Sequence, residues 1–256
     1  MPRLAMASDC DETLFFRKRI PTILSQDIEA VRNFRAGGGL FGICTGRPYY
    51  GVLDAVGDQL RFDFHICTSG AHILGSNGET LCENKLPRST AASLWKMGKS
   101  LPFMVVQANG RLYSPHPTSS FQIFVSEFDD IPGDSFFGVS FYVESQEKAA
   151  EMADMVNREW SGTACAFHNS ICLDVVSHSV SKGKALSDVK QRLDIGCMAA
   201  IGDSFNDLPM LRAADISFTF PYAPEELRKA ATHVVPTVGT ALEMLEGNLT
   251  AESKYS

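Results

Sequence analysis

The stretch Leu4–Leu14, with the sequence LAMASDCDETL, organises the rest of the chain. Its apolar first part predicts a buried strand. A period of two then places Asp9 and Asp11 on one side and Cys10 on the other, if the extended geometry continues past the strand. Two carboxylates that face one cavity indicate either an acid/base couple or a metal site, because like charges repel unless one is protonated or a cation lies between them. Turn chemistry, with these side chains bonding backbone N–H groups, is an alternative that this stretch alone leaves open.

The composition is that of a folded, acidic protein. With 256 residues, 45% of them hydrophobic, the chain can build one large domain or a core with a second, smaller domain. The net charge of −7 argues against a nucleic-acid surface, which needs clustered Lys and Arg. No apolar run is long enough for a signal peptide or for a membrane helix of about 20 residues. The seven cysteines lack metal-ligand spacing and predict buried, reduced thiols, so we expect a cytoplasmic protein without a membrane or nucleic-acid partner.

The first 80 or so residues alternate between strand and helix patterns. After the opening strand, the apolar spacing predicts a helix from Ser25 to Gly37 and a strand over Leu40–Cys44. A helix over residues 49–60 and a strand over Phe64–Cys67 follow. This order is typical of a parallel sheet with right-handed crossovers.

The middle of the chain has a different pattern. From Leu81 to Val176, strand-like runs surround one predicted helix over residues 146–160, which indicates an inserted α+β domain. Helices over residues 182–193 and 207–214, with a strand over 198–201 between them, then resume the alternation. We therefore predict an α/β fold in which residues 1–81 and 177–256 form a Rossmann-like core and residues 82–176 form a separate domain.

Polar clusters follow four of the predicted strands. They are Asp9-Cys10-Asp11, Thr45-Gly46-Arg47, Thr68-Ser69-Gly70 and the run Gly202–Asp207. Ligands of open parallel sheets bind outside the carboxyl ends of the strands. Carboxylates at Asp9, Asp11 and Asp203 offer the hard oxygen ligands that suit Mg²⁺ together with a substrate phosphate, and Thr45 with the N–H of Gly46 offers anion donors. Carboxylates, a divalent ion and a phosphate clamp together predict phosphoryl transfer.

Four motifs in order resemble those of the haloacid dehalogenase (HAD) superfamily of phosphatases. They are Asp9-x-Asp11-x-Thr13, Thr45-Gly-Arg, Lys182-Gly-x-Ala-Leu and Gly202-Asp203-x-x-Asn206-Asp207. The long insertion lies between the Thr45 region and Lys182, which resembles the Cof-like branch with a type IIB cap. The resemblance covers nearly the whole chain. It implies that residues 1–81 and 177–256 are the HAD catalytic core and that the cap, residues 82–176, selects the substrate.

The resemblance also implies a role for each motif residue. Asp9 would attack phosphorus and form an aspartyl-phosphate, while Asp11 would protonate the leaving oxygen and then activate water. The metal would be held by Asp9, Asp203 and the backbone carbonyl of Asp11. The phosphate-binding residues would be Thr45, Gly46, Lys182 and Asn206.

Some assignments keep alternatives. Asp207 would act through water or by orienting Lys182, or it would serve only as the N-cap of the following helix. Arg47 would contact the phosphate, meet the cap or lie on the surface. Glu12 stands where the family usually has Gly, so either its local φ is negative or the site is altered. Ser69 stands where this branch usually has Asn, which leaves its contribution to the site open.

The sequence thus predicts a cytoplasmic, Mg²⁺-dependent phosphatase of small phosphorylated metabolites, with sugar phosphates as the leading class by family resemblance. No protein partner is implied. Two alternatives use the same fold: a phosphotransferase or mutase, which passes the phosphoryl group to a second hydroxyl, and a non-catalytic sensor of a phosphorylated ligand. No residue of the predicted cap belongs to a motif with a fixed chemical meaning, so the substrate itself stays open.

Overall fold

The structure of the chain, a computed structural model, describes residues 3–252. Its strands and helices are, in chain order, β1 (Leu4–Ser8), α1 (Ser25–Ala36), β2 (Leu40–Cys44), α2 (Tyr49–Val56), β3 (Phe64–Cys67), β4 (His72–Gly75), β5 (Thr80–Glu83), α3 (Arg88–Gly98), β6 (Phe103–Ala108), β7 (Arg111–Ser114), β8 (Gln122–Phe124), β9 (Phe136–Tyr142), α4 (Gln146–Glu159), β10 (Ala164–Asn169), β11 (Cys172–Ser177), α5 (Lys182–Arg192), β12 (Cys197–Ile201), α6 (Leu208–Ala213), β13 (Ile216–Thr219), α7 (Glu225–Ala230), β14 (His233–Val234) and α8 (Val238–Glu252).

The larger of two sheets has strand β1 near its centre. Its strand order is β14-β13-β12-β1-β2-β3-β4-β5. All neighbours from β14 to β3 run parallel, and β4 and β5 extend the sheet as antiparallel strands. Side chains of β1 alternate as a period of two requires, with Met6 in the core on one face and Ala5 and Ala7 in the core on the other. The predicted α/β class with a Rossmann-like parallel sheet is confirmed.

Helices cover both faces of this sheet. Apolar side chains of α1, α2 and α8 join the core on the face of Met6, and those of α5, α6 and α7 join the core on the opposite face. The Asp27 carboxylate on α1 accepts a hydrogen bond of 2.7 Å from the backbone N–H of Gly239 in α8, which links the first and last helices. Within residues 3–252, no helix combines the length and the apolar character that crossing a membrane requires.

The smaller sheet lies in the inserted part of the chain. Its order is β10-β11-β9-β6-β7-β8, and every pair is antiparallel except β7 with β8. Helices α3 and α4 pack on one face, where Trp95 and Val156 share a core with Phe141 and Leu173. An α+β unit is therefore inserted into the α/β core, as predicted.

Several local features differ from the sequence prediction. The β4–β5 hairpin and helix α3 were not predicted. Helix α2 ends at Val56 rather than at Leu60, because Gly57 adopts a positive φ of 56° that closes the helix. The predicted boundary between residues 81 and 82 falls inside β5, which pairs with β4 in the larger sheet, and the division of the chain at that point stays a prediction.

Candidate active site

Four neighbouring strands of the larger sheet bring the polar clusters together. Strands β12, β1, β2 and β3 are consecutive and parallel, so their carboxyl ends meet at one edge of the sheet. These ends are followed by Gly202–Asp207, Asp9, Thr45 and Thr68. The proximity predicted from the sequence thus follows from strand order alone.

Lys182, the first residue of α5, connects two of these carboxylates. Its Nζ lies 2.6 Å from Asp9 Oδ1 and 2.5 Å from Asp207 Oδ1, and only 1% of its side chain is exposed. The helix start is fixed by Ser181, whose Oγ accepts a hydrogen bond of 3.1 Å from the N–H of Lys184. Gly183 permits close packing on the next helix, because a Cβ there would lie 2.3 Å from the carbonyl oxygen of Pro209. The Lys-Gly pair therefore places an ammonium group in the buried centre of the site.

Three carboxylates surround this single ammonium group. Asp9, Asp203 and Asp207 each offer an oxygen within 4.8 Å of the others. Burial raises the pKa of Asp9, and the charges of Asp207 and Asp203 raise it further, against the opposing effect of Lys182. Burial also raises the pKa of Asp203, to about 6. Burial lowers the pKa of Lys182, but the carboxylates of Asp207 and Asp9 outweigh this and raise it. The cluster has an excess of negative charge that a divalent cation would neutralise.

The hydrogen bonds show which oxygens remain open for a ligand. Asp207 uses both of its oxygens, since Oδ1 contacts Lys182 and Oδ2 accepts from the N–H groups of Asp203 and Ser204, each at 3.0 Å. Asp9 Oδ2 and Asp203 Oδ2 have no hydrogen-bond partner among residues 3–252. The Asp207 side chain makes no capping hydrogen bond to α6, so the alternative that it serves only as the N-cap of that helix is wrong; its Oδ1 contacts Lys182. Asp9 and Asp203 thus each keep a carboxylate oxygen that a metal ion would bind.

Asp11 is paired with Arg47 and lies outside the acidic cluster. Arg47 Nη2 and Nε donate to Asp11 Oδ1 and Oδ2 at 2.6 and 2.7 Å, and Nη1 donates to the carbonyl oxygen of Gly51 at 3.1 Å. The Asp11 side chain is 47% exposed. None of the three predicted positions for Arg47 included this pair. A bidentate guanidinium fixes the position of the carboxylate that it binds, so the Asp11 side chain is held in one orientation.

The remaining predicted phosphate-binding residues lie around this centre. Thr45 is buried, and its Oγ1 accepts a hydrogen bond of 3.1 Å from the N–H of Arg47. The carbonyl oxygen of the adjacent Gly46 accepts one of 3.4 Å from Gln107 Nε2. Asn206 Oδ1 accepts from Ser204 Oγ at 2.5 Å, within its own turn. The structure therefore joins Asp9, Lys182, Asp203 and Asp207 by contact or close approach and places Thr45, Gly46 and Asn206 in adjoining loops.

The loop after Asp9 is held in a strained conformation. Glu12 has a φ of 59°, so of the two alternatives for this position the negative φ is wrong. Two hydrogen bonds hold it, from the N–H of Glu12 to the carbonyl oxygen of Phe15 at 2.8 Å and from the hydroxyl of Tyr222 to the carbonyl oxygen of Glu12 at 2.6 Å. Thr13 Oγ1 donates to Asp203 Oδ1 at 2.7 Å. The loop is thereby tied to the loop that carries Asp203.

Three residues of the smaller sheet adjoin the site and were missed by the sequence prediction. Gln107 Oε1 accepts from Thr68 Oγ1 at 2.7 Å, and Ser140 Oγ donates to Asp174 Oδ1 at 2.5 Å. Thr68 and its neighbour Ser69 both have positive φ, 50° and 54°, which turns the chain toward this sheet. For Asp174 the sequence contained one indication of a functional residue, because this charged side chain interrupts the otherwise mostly apolar strand Cys172–Ser177.

The chain is similar to known proteins over most of its length. The sequence profile described as haloacid dehalogenase-like hydrolase matches residues 6–240. An HMP-PP phosphatase from Yersinia pseudotuberculosis is 27% identical over 225 residues, which cover 82% of this chain and 81% of that protein.

Solved structures show the same fold. A haloacid dehalogenase-like hydrolase from B. subtilis superposes with a TM-score of 0.83 at 18% identity, covering 94% of this chain and 98% of its own. A HAD subclass IIB sugar phosphatase superposes with a TM-score of 0.76 at 20% identity, covering 95% and 99%. The predicted resemblance to HAD phosphatases with the Cof-like, type IIB architecture is confirmed. The chain belongs to the haloacid dehalogenase-like hydrolases and is a phosphatase of that family.

Proposed function

We propose that this phosphatase is Mg²⁺-dependent and hydrolyses small phosphorylated metabolites through an aspartyl-phosphate on Asp9. One observation chiefly supports this: a buried carboxylate with one oxygen bonded to Lys182 and the other without a partner, next to the open oxygen of Asp203. Sugar phosphates are the leading substrate class, by family resemblance and because a sugar phosphatase is among the proteins with this fold.

In the first step, an oxygen of Asp9 forms a bond to phosphorus while the bond from phosphorus to the leaving oxygen breaks. Lys182 favours the ionised form of Asp9 against the effect of burial and fixes its orientation, since the ammonium is anchored on its other side by Asp207. Asp11 gives a proton to the leaving oxygen, an effect of about 10²–10⁴ in rate for a positioned general acid. An incoming phosphate competes for the guanidinium of Arg47, and this competition frees Asp11 to carry that proton.

In the second step, Asp11 takes a proton from a water molecule, which attacks phosphorus and breaks the bond to Asp9. The Asp9 carboxylate is thereby restored and inorganic phosphate leaves. Asp9, Asp203 and the backbone carbonyl of Asp11 would hold the Mg²⁺, which supplies positive charge next to the phosphoryl oxygens. Thr45, the N–H of Gly46 and Asn206 would bind the phosphate.

The test is phosphate release from a panel of phosphorylated sugars, polyols and small acids. Wild type, Asp9→Asn and Asp154→Asn are compared with and without Mg²⁺. Asp154 is exposed on α4 and serves as the matched control. We expect release by wild type and Asp154→Asn only, with loss in EDTA and recovery with Mg²⁺. Activity that persists in chelator would contradict the metal dependence. Consumption of substrate only with an added acceptor alcohol, with formation of the phosphorylated alcohol and no release of phosphate, would identify a phosphotransferase.

A further inference from the structure

One face of the smaller sheet is turned toward the edge of the larger sheet that carries Asp9. The strand register places Asp174 opposite Ser140 and Phe167, and Cys172 opposite Tyr142, which lies opposite Phe103. Leu173 and Phe141, which alternate with these residues, point to the other face and pack beneath α3 and α4. The exposed residues of the first face are therefore the ones that a substrate held at Asp9 would meet.

Asp174 is a charged group of this face that lies close to Gly46 of the candidate phosphate loop. Its Oδ2 lies 3.4 Å from the position that a Cβ on Gly46 would take. The charge of Lys182 also acts on the Asp174 carboxylate. Gln107 links the smaller sheet to loops of the larger sheet, through its hydrogen bonds to Thr68 and to the carbonyl oxygen of Gly46. Asp174 therefore adjoins the phosphate site from the side of the smaller sheet, where the leaving group has to lie.

The charge of Asp174 has only neutral partners. Its Oδ1 accepts from Ser140 Oγ, and Cys172 Sγ lies 3.9 Å away. Among the ion pairs of residues 3–252, none involves Asp174. Burial raises its pKa, and the hydrogen bond from Ser140 and the charge of Lys182 oppose this. A half-buried carboxylate with spare acceptor capacity is stabilised by any ligand that brings further donors or a positive charge.

Two stacked aromatic rings lie on the same face as Asp174. Phe103 and Tyr142 stack with their centroids 4.1 Å apart, and 43% of Tyr142 is exposed. Burial raises the pKa of Tyr142, and the charges of Asp174 and Asp11 add to the effect. A ring in this position offers an apolar surface to the C–H face of a sugar or polyol.

We propose that Asp174 selects the leaving group, and that the substrates are phosphate esters whose leaving group carries hydroxyl or amino donors and no second anionic group. This rests on the proposed function. The carboxylate accepts hydrogen bonds from the donors and repels a second phosphate or carboxylate, while Tyr142 packs against the apolar part of the leaving group. Selection by like-charge repulsion adds to selection by attraction, and together they give a larger discrimination than either alone.

The test uses substrate pairs in which only one member carries a carboxylate besides the phosphate. Glycerol 3-phosphate is paired with 3-phosphoglycerate, and glucosamine 6-phosphate with 6-phosphogluconate. For each compound kcat/KM is measured, together with its inhibition of acetyl phosphate hydrolysis, which is observable even without turnover. In wild type we expect the donor-bearing member of a pair to be preferred by about 10-fold or more.

Asp174→Asn keeps the shape of the side chain and removes its charge. We expect the preference ratio to fall by about 10-fold in this variant and to be unchanged in Asp154→Asn. The wild-type ratio needs no variant, so misfolding of Asp174→Asn does not remove the test. The proposal would be overturned if wild type used both members of a pair equally or preferred the member with the carboxylate. It would also be overturned if the protein hydrolysed acetyl phosphate but bound neither pair. Absence of acetyl phosphate hydrolysis would instead contradict the proposed function on which it rests.

Discussion

Lys182 shows how much of the site depends on one side chain. It is buried between two carboxylates, whereas Lys184, two residues on, is 54% exposed and bonded to Asp188. The family pattern selects Lys182 from the sequence, and the structure shows that only Lys182 contacts Asp9. The physical difference between the two lysines is burial, because removing one partner from a buried ion pair leaves the other charge uncompensated.

Lys182→Ala is therefore expected to abolish most of the turnover and to lower the free energy of unfolding by about 3–5 kcal/mol in the absence of metal. Lys184→Ala is the matched control, with an expected change of less than about 0.5 kcal/mol, since an exposed pair contributes little. Phosphate release and urea unfolding measure the two effects. Equal losses in both variants would show that Lys182 has been assigned the wrong role.

Glu12 gives the second prediction at this scale. Its φ of 59° lies in the region that favours glycine, so Glu12→Gly is expected to raise the free energy of unfolding by about 1 kcal/mol and to keep activity. Glu29→Gly on the exposed face of α1 is the control with the opposite sign, expected to destabilise by about 1 kcal/mol. Thermal and urea unfolding of both variants check this. If Glu12→Gly were destabilising, the side chain would have to make contacts that outweigh the backbone strain.

At the scale of elements, the helix starts allow a comparison within one chain. Ser181 caps α5 and Ser145 caps α4, each accepting a hydrogen bond from the third residue after it. Ser181→Ala and Ser145→Ala are each expected to cost about 1 kcal/mol of unfolding free energy. Only α5 begins with Lys182, so only Ser181→Ala is expected to lower kcat as well. Similar kcat values in both variants would show that the hydrogen bond from the Lys184 N–H to Ser181 does not determine the position of Lys182.

The sequence predicted the elements whose side chains have a clear period and missed those with a weaker one. Helix α3 carries Ala91, Leu94 and Trp95 at helical spacing, but its first turn has no capping side chain, and the Pro before it reads equally well as a loop. The Asp11–Arg47 pair was not predictable, because it joins residues 36 apart through the conformations of two loops. Asp174 was missed because only the register of β11 shows which face it occupies. Patterns within one element are visible in sequence, whereas contacts between elements depend on the fold.

At the scale of the molecule, the acidic cluster links stability to pH. Burial raises the pKa of Asp203 from 3.8 to about 6, so the folded chain binds this proton more tightly than the unfolded chain does. The stabilisation is complete below the unfolded value and is lost as pH rises through about 6. Asp207, Lys182 and Glu12 are the charged groups that act on it.

Without metal, the unfolding free energy of wild type relative to Asp203→Asn is therefore expected to fall by roughly 2 kcal/mol between pH 4 and 7. Saturating Mg²⁺ should restore wild type at pH 7 and have a smaller effect on the variant, because a ligand that binds only the folded state stabilises it. Urea unfolding across pH, with and without Mg²⁺, measures this. A difference between the two proteins that stays constant with pH would contradict the raised pKa.

The central position of β1 also matters while the protein is being made. This strand is synthesised well before one of its two neighbours in the sheet, β12, which begins at Cys197. At about 5–20 residues per second, translation supplies that neighbour roughly 10–40 s later. During that interval one edge of β1, the strand that precedes Asp9, stays unpaired. The inserted α+β unit, which lies between β1 and β12 in the sequence, is synthesised before β12. The nascent chain is thus most open to chaperones and to aggregation at the strand that later forms the centre of the enzyme.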